Sequence, residues 1–69
     1  MDRKLKKEIL DLLSRKPHGL TIEDISNQLT INRATASRYL FALNAEKTVV
    51  VRDIGKAKLH YLKKYFGEN

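Results

Sequence analysis

Apolar residues along this chain recur with a helical period as far as Leu43 and with a strand period after it, and each period predicts a different element. From Asp2 to Lys16 they fall at Leu5, Ile9, Leu12 and Leu13, the i, i+4, i+7, i+8 spacing of one helical face, with Asp2 placed to cap the start. Leu10 stands about 100° from the middle of that stripe, so it packs under a terminal segment or meets a partner chain. Pro17-His18-Gly19 ends the helix, because proline cannot continue it and glycine permits a reversal. Leu20-Thr21 leaves room for no more than a bridge of extended chain.

A second stripe, Ile22, Ile25 and Leu29, begins behind Thr21 and Asp24, which have the spacing of a capping box with Asp in place of Glu. Only Thr30-Ile31-Asn32 separates this helix from the next. Three residues cannot return a helix alongside its predecessor, so the two must cross steeply, with Ile31 plugging the corner, as in a helix-turn-helix. The third helix, about 32–46, is capped by Asn32 and buries Ala36, Leu40 and Leu43. Its opposite side carries Ala34, Ser37, Arg38 and Phe41, with Arg33 and Thr35 on the flanks near its start. Tyr39, about 60° from the buried stripe, is expected to be half-buried with its hydroxyl free to meet a phosphate, core packing being the favoured of its two roles.

The period then falls to two. Val49-Val50-Val51-Arg52-Asp53 reads as a strand, Ile54-Gly55-Lys56-Ala57 as a turn, and Lys58–Leu62 as a second, antiparallel strand alternating Leu59 and Tyr61 against His60 and Leu62. Arg52, Lys56 and Lys58 lie at the tip and edges of this hairpin. A tail, 63–69, adds Tyr65 and Phe66. Phe41 fits least well. Its roles, in order of expectation, are packing under the hairpin or tail, touching a thymine methyl, and joining a dimer contact.

Charge changes this picture. The net charge of +6 is uneven: residues 1–30 hold six Lys/Arg against five Asp/Glu, and residues 31–69 hold eight against three. The excess therefore accompanies the third helix and the hairpin, the footprint of a polyanionic partner. Arg3, Lys4, Lys6 and Lys7 read instead as a solvated face. With no cysteine, disulfides, thiolate chemistry and Cys-based zinc sites are excluded. His18 and His60 are too isolated for a metal site, and no nucleophile–base set or paired carboxylate suggests catalysis, so neither an enzyme nor a cofactor is expected. No apolar run approaches a membrane span, no signal-like core follows the N-terminus, and the chain reads as cytoplasmic. At 69 residues it is expected to form one domain, with a core over about 3–62 and no separate sensor unit or evident small-molecule pocket.

Helix, short strand, helix, tight turn, helix and hairpin is the order of a winged helix-turn-helix, a mainly helical α+β fold. The run Glu23-Asp24-Ile25-Ser26-Asn27-Gln28-Leu29-Thr30-Ile31-Asn32-Arg33-Ala34-Thr35-Ala36-Ser37-Arg38-Tyr39-Leu40 resembles the core of prokaryotic winged-helix transcription regulators, and the resemblance spans roughly residues 5 to 62. Such regulators usually have Ala at Ser26 and Gly at Thr30, and often Gly at Thr48. The resemblance implies a three-helix core with a C-terminal β-hairpin wing, double-stranded DNA as partner, and a third helix that enters the major groove. Carried over by position, Arg33, Thr35, Ser37 and Arg38 would contact the groove, Thr21 a phosphate, and Lys56 with Arg52 and Lys58 the flanking backbone. Arg38 is favoured for a base edge and Arg33 for a phosphate.

Two other readings stand beside this one. A winged helix can serve as a protein-interaction module without touching bases, a reading the basic excess after Thr30 argues against. RNA binding is weaker still, since no sheet shows adjacent stacking aromatics. A single wing and helix covers a short site, so self-association through the surplus apolar residues Leu10, Phe41, Tyr65 and Phe66 is one expectation, and a tail folded back on the first helix is the alternative.

Overall fold

A computed structural model describes residues 2–65. Helix α1 spans Arg3–Ser14 and is capped as its sequence requires, with the Asp2 carboxylate accepting the Lys4 backbone N–H at 2.9 Å. Ile9, Leu12 and Leu13 are buried, while Leu5 and Leu10 pack partly against the same core. The helix stops two residues short of Lys16 because the Arg15 and Lys16 N–H groups turn to the Leu12 and Leu13 carbonyls in a tighter turn. Gly19 then takes φ +93, and a Cβ there would stand 3.2 Å from Leu59 Cβ and 3.3 Å from the His60 carbonyl oxygen, so a side chain would be both strained and tight. Leu20 makes a single antiparallel bridge with His60 through backbone bonds of 3.0 and 2.7 Å, which is the short strand of the sequence reading.

Helix α2 spans Ile22–Leu29 and opens with the capping box: Thr21 Oγ1 accepts the Asp24 N–H at 3.1 Å, and Asp24 Oδ2 accepts the Thr21 N–H at 3.2 Å. Ser26 is buried, and its hydroxyl is satisfied by donating to the Glu23 carbonyl at 3.0 Å. Thr30 ends the helix at φ 54 and ψ 51, a left-handed conformation that costs a β-branched residue about 1–2 kcal/mol. The strain is local. It lets the Ile31 N–H reach the Ser26 carbonyl at 2.9 Å and turns the chain sharply into helix α3, Arg33–Ala45, capped by Asn32 at 2.7 Å from the Ala34 N. At the far end of α3 the left-handed residue is Lys47, at φ 65, not Thr48. Thr48 instead holds extended chain together, donating to the Leu43 carbonyl and accepting from the Lys63 N–H, both at 3.0 Å.

Strands β1, Val49–Ile54, and β2, Ala57–Leu62, pair antiparallel from Val49 opposite Leu62 to Ile54 opposite Ala57. The turn is therefore two residues, Gly55-Lys56, with Gly55 at φ +60 in the first turn position. The side chains of β2 alternate between faces as expected, but burial does not follow the alternation: His60, Tyr61 and Leu62 are all buried. Both faces at the base of the hairpin are covered, one by α3 and the other by the α1–α2 connection at Gly19. The largest fully buried side chains, Ile9, Leu13, Ile25, Leu40, Leu43 and Val49, come from all three helices and β1. Each contributes about 1.5–3 kcal/mol by leaving water. A short 3-10 turn, Lys63–Tyr65, follows, and the Tyr65 hydroxyl donates to the Ser14 carbonyl at 2.7 Å. To that extent the tail folds back on α1; Phe66 lies outside the described residues.

Candidate nucleic-acid interface

The Leu20–His60 bridge decides where the basic residues meet. Antiparallel pairing at that point sets Lys58, two residues before His60, beside the start of α2, and the two-residue turn brings Lys56 to the same place. The steep turn at Thr30 delivers Arg33 from the other side. Thr21, Ile22, Glu23, Arg33, Lys56, Ala57 and Lys58 thus line one open concavity of about 280 Å³. Four of the eight sequence-predicted contact residues, Thr21, Arg33, Lys56 and Lys58, converge there. The capping box engages both the hydroxyl and the N–H of Thr21, and Glu23 and Asp24 answer the helix dipole at that end. Attraction for an anion in this concavity therefore comes from Arg33, Lys56 and Lys58.

The other four residues are spread out. Ser37 is exposed and lines a second cleft of about 200 Å³ between α3 and the wing, with Phe41, Asn44, Val51, Lys58 and His60 among its walls. Arg38 is exposed on the outer side of α3, and Thr35 is half-buried on the flank turned from the wing. Arg52 pairs with Leu59, placing it on the hairpin face opposite the one that carries Lys58, His60 and Val51. Among the described residues the ion pairs are Lys6–Glu46 and Arg15–Asp11, each at 3.1 Å. Neither uses Arg33, Arg38, Arg52, Lys56 or Lys58, so within that set these cations form no ion pair, although Asp53 stands opposite Lys58 in the hairpin and Glu23 lines the same concavity.

Three side chains depart from the sequence reading. Tyr39 is 7% exposed rather than half-buried, and its hydroxyl accepts the Asp2 backbone N–H at 2.7 Å, so it ties the start of α1 to α3 instead of facing a phosphate. Phe41 is packed under neither the wing nor the described part of the tail: 77% of it is exposed. His60, treated in the sequence only as a lone histidine, is buried at the back of the second cleft. Its Nδ1 lies 3.2 Å from the Leu20 carbonyl, and burial, with Lys58 nearby, holds its pKa below the usual value against the opposing pull of that hydrogen bond. The available signal was its place on the same strand face as Leu62.

Residues 8–53 match the IclR helix-turn-helix domain family. The chain belongs to that family. Two solved structures show how closely the IclR-type fold is shared. The homodimeric winged helix-turn-helix DNA-binding domain of Mb0332 from Mycobacterium bovis (fragment 1–100), a possible ArsR-family transcriptional regulator, superposes with a TM-score of 0.79 at 29% identity, covering 86% of this chain and 53% of that one. This chain thus spans about half the length of that relative. The Zalpha domain of PKZ, solved in complex with ds(CG)6, superposes with a TM-score of 0.82 at 27% identity, covering 90% of this chain and 98% of that one. No curated protein matches the sequence. The family and fold are those of DNA-binding regulatory domains. Among the described residues of this IclR-type domain no group of three His, Cys, Asp or Glu is placed to hold a metal ion, and no helix is long and apolar enough to cross a membrane.

Proposed function

We propose that this IclR-type domain is a sequence-specific regulator of transcription that binds double-stranded DNA with α3 in the major groove and the wing on the flanking backbone. The observation that carries the reading is the convergence of Arg33, Lys56 and Lys58, from α3 and the wing, on one concave face, with no carboxylate paired to them among the described residues. In that arrangement Arg33, Lys56 and Lys58 neutralise phosphates, which sets most of the affinity. Arg38, with Ser37 and Thr35 beside it, supplies hydrogen bonds to base edges. Thr21 stands at the margin of the phosphate track, and Arg52, on the other wing face, adds to the field around it. The DNA-binding description of the Mb0332 fragment and the ds(CG)6 bound to PKZ Zalpha support a nucleic-acid partner for this shape.

Self-association belongs to the same reading, since one recognition helix covers few base pairs and the Mb0332 fragment is homodimeric. Leu10 offers a surface for it, at the edge of an open, mostly apolar groove of about 510 Å³ shared with Thr48, Leu62, Lys63 and Lys64. Sedimentation of the free protein at micromolar concentration tests this part: a single species of 8.0 kDa removes it.

Selection of duplexes from a random pool tests DNA recognition itself. Enrichment of a common sequence, with affinity that falls steeply as salt rises, is the expected result. Equal affinity for every duplex removes sequence-specific regulation, and failure to retard any duplex at low salt favours a protein-interaction module instead.

A further inference from the structure

We infer that Phe41 is a base-reading residue of this domain, and that its ligand is the 5-methyl group of a thymine in the major groove. The inference rests on the DNA-binding reading above and adds to it an apolar specificity contact. A phenylalanine 77% exposed on a helix whose other face is fully packed has no part in the core, and an exposed large apolar side chain is the informative exception on a small protein. Across the cleft stands Val51, itself 37% exposed, so the two make a small apolar spot.

The surroundings of that spot decide what covers it. Lys58 lines the same cleft, and Arg38, three residues before Phe41, lies on the adjoining outer side of α3; among the described residues neither forms an ion pair, Asp53 standing opposite Lys58 in the hairpin without closing one. Docking a second copy there would bring these cations, in a chain of net charge +6, against their own kind. A polyanion is the complementary partner. In the major groove of a duplex the apolar group on a base edge is the thymine methyl, which aromatic and methyl-bearing side chains contact. Spacing agrees: three residues along a helix advance about 4.5 Å, close to one base-pair step of about 3.4 Å, so Phe41 covers the pair next to the one Arg38 reads.

The test uses a duplex enriched from a random pool by the full chain. Its thymines are replaced one at a time by deoxyuridine, which removes only the methyl group, and each duplex is titrated with the wild-type protein and with Phe41→Ala. At one position the replacement weakens wild-type binding about fourfold, the effect of one buried methyl-sized group, and leaves the variant unaffected. An unchanged melting temperature shows that Phe41→Ala is folded. Replacements that shift both proteins alike at every position overturn the inference, as does enrichment of duplexes without thymine. It is also overturned if Phe41→Ala keeps the wild-type base preference but sediments as a smaller species, which makes the ring a dimer contact. If the wild type enriches nothing, the DNA-binding reading itself falls, a result distinct from all of these.

Discussion

The two sides of α3 treat the same kind of residue in opposite ways. Leu40 and Phe41 are neighbours in sequence, yet one is 2% exposed and the other 77%. Tyr39 and Phe41 are both aromatic, and the one with a polar atom is the one that is buried. A rotation of about 200° separates those two positions, so the register of the helix, rather than the hydrophobicity of the residue, allocates them. Tyr39 can be buried because its hydroxyl finds the Asp2 N–H. Phe41 is left uncovered by the described residues. The inner side of α3 thus serves stability, and the outer side is left to solvent by the described residues.

The strongest way to break that contrast is to truncate one residue on each side. Leu40→Ala is expected to lower the unfolding free energy by about 2–5 kcal/mol, against less than about 0.5 kcal/mol for Phe41→Ala, as read by denaturant titration. Similar losses would mean that Phe41 belongs to the core after all.

Next in size are effects on the outer side alone. Arg38→Ala should cost about 1–3 kcal/mol of binding and relax preference at one base position, whereas Arg33→Ala or Lys58→Ala should weaken all duplexes alike and reduce the salt slope by about 0.9 for each phosphate no longer neutralised. None of the three should move the melting temperature. A sequence-independent loss in Arg38→Ala would reassign that residue to the backbone.

A smaller effect concerns the turn that aims α3. Thr30→Gly relieves the left-handed strain but adds backbone freedom to the unfolded chain, so a net gain of up to about 1 kcal/mol is expected in denaturant titration. A loss would show that the Thr30 side chain supports the turn.

The finest test lies at the cleft behind Phe41. His60 has a pKa below its ordinary 6.5 in the folded state, so the unfolded chain takes up the proton first. The stability that follows from this is fully present above about pH 6.5 and is lost as the pH falls through that value towards the lower folded pKa. Unfolding measured on either side of this window should show the loss in the wild type and a smaller one in His60→Gln. Equal pH dependence in both proteins would assign the effect to the carboxylates.

Much of this was legible in the sequence because it is local. Asp2, Thr21 and Asn32 cap the three helices through hydrogen bonds within three residues, and the apolar periods that place Ile9, Leu13, Ile25, Leu40 and Leu43 inside need only the pitch of a helix. The β-branched run 49–51 and Gly55 likewise announce the hairpin. Less legible was anything that depends on residues distant in sequence. The burial of His60 follows from its pairing with Leu20, the fate of the Tyr39 hydroxyl from Asp2, and the choice of the hairpin face turned to α3, that of Lys58 and His60 rather than that of Arg52, from how the wing packs.

By itself, then, the chain determined its three capped helices, its steep turn, its hairpin and the basic excess after Thr30, since propensity, capping and charge act over a few residues. Tertiary structure alone decided which cations share a concave face and that the described residues leave Phe41 uncovered. Those outcomes depend on how the wing closes against α2 and α3, through the Leu20–His60 bridge some 40 residues apart in sequence, and no local pattern encodes that distance.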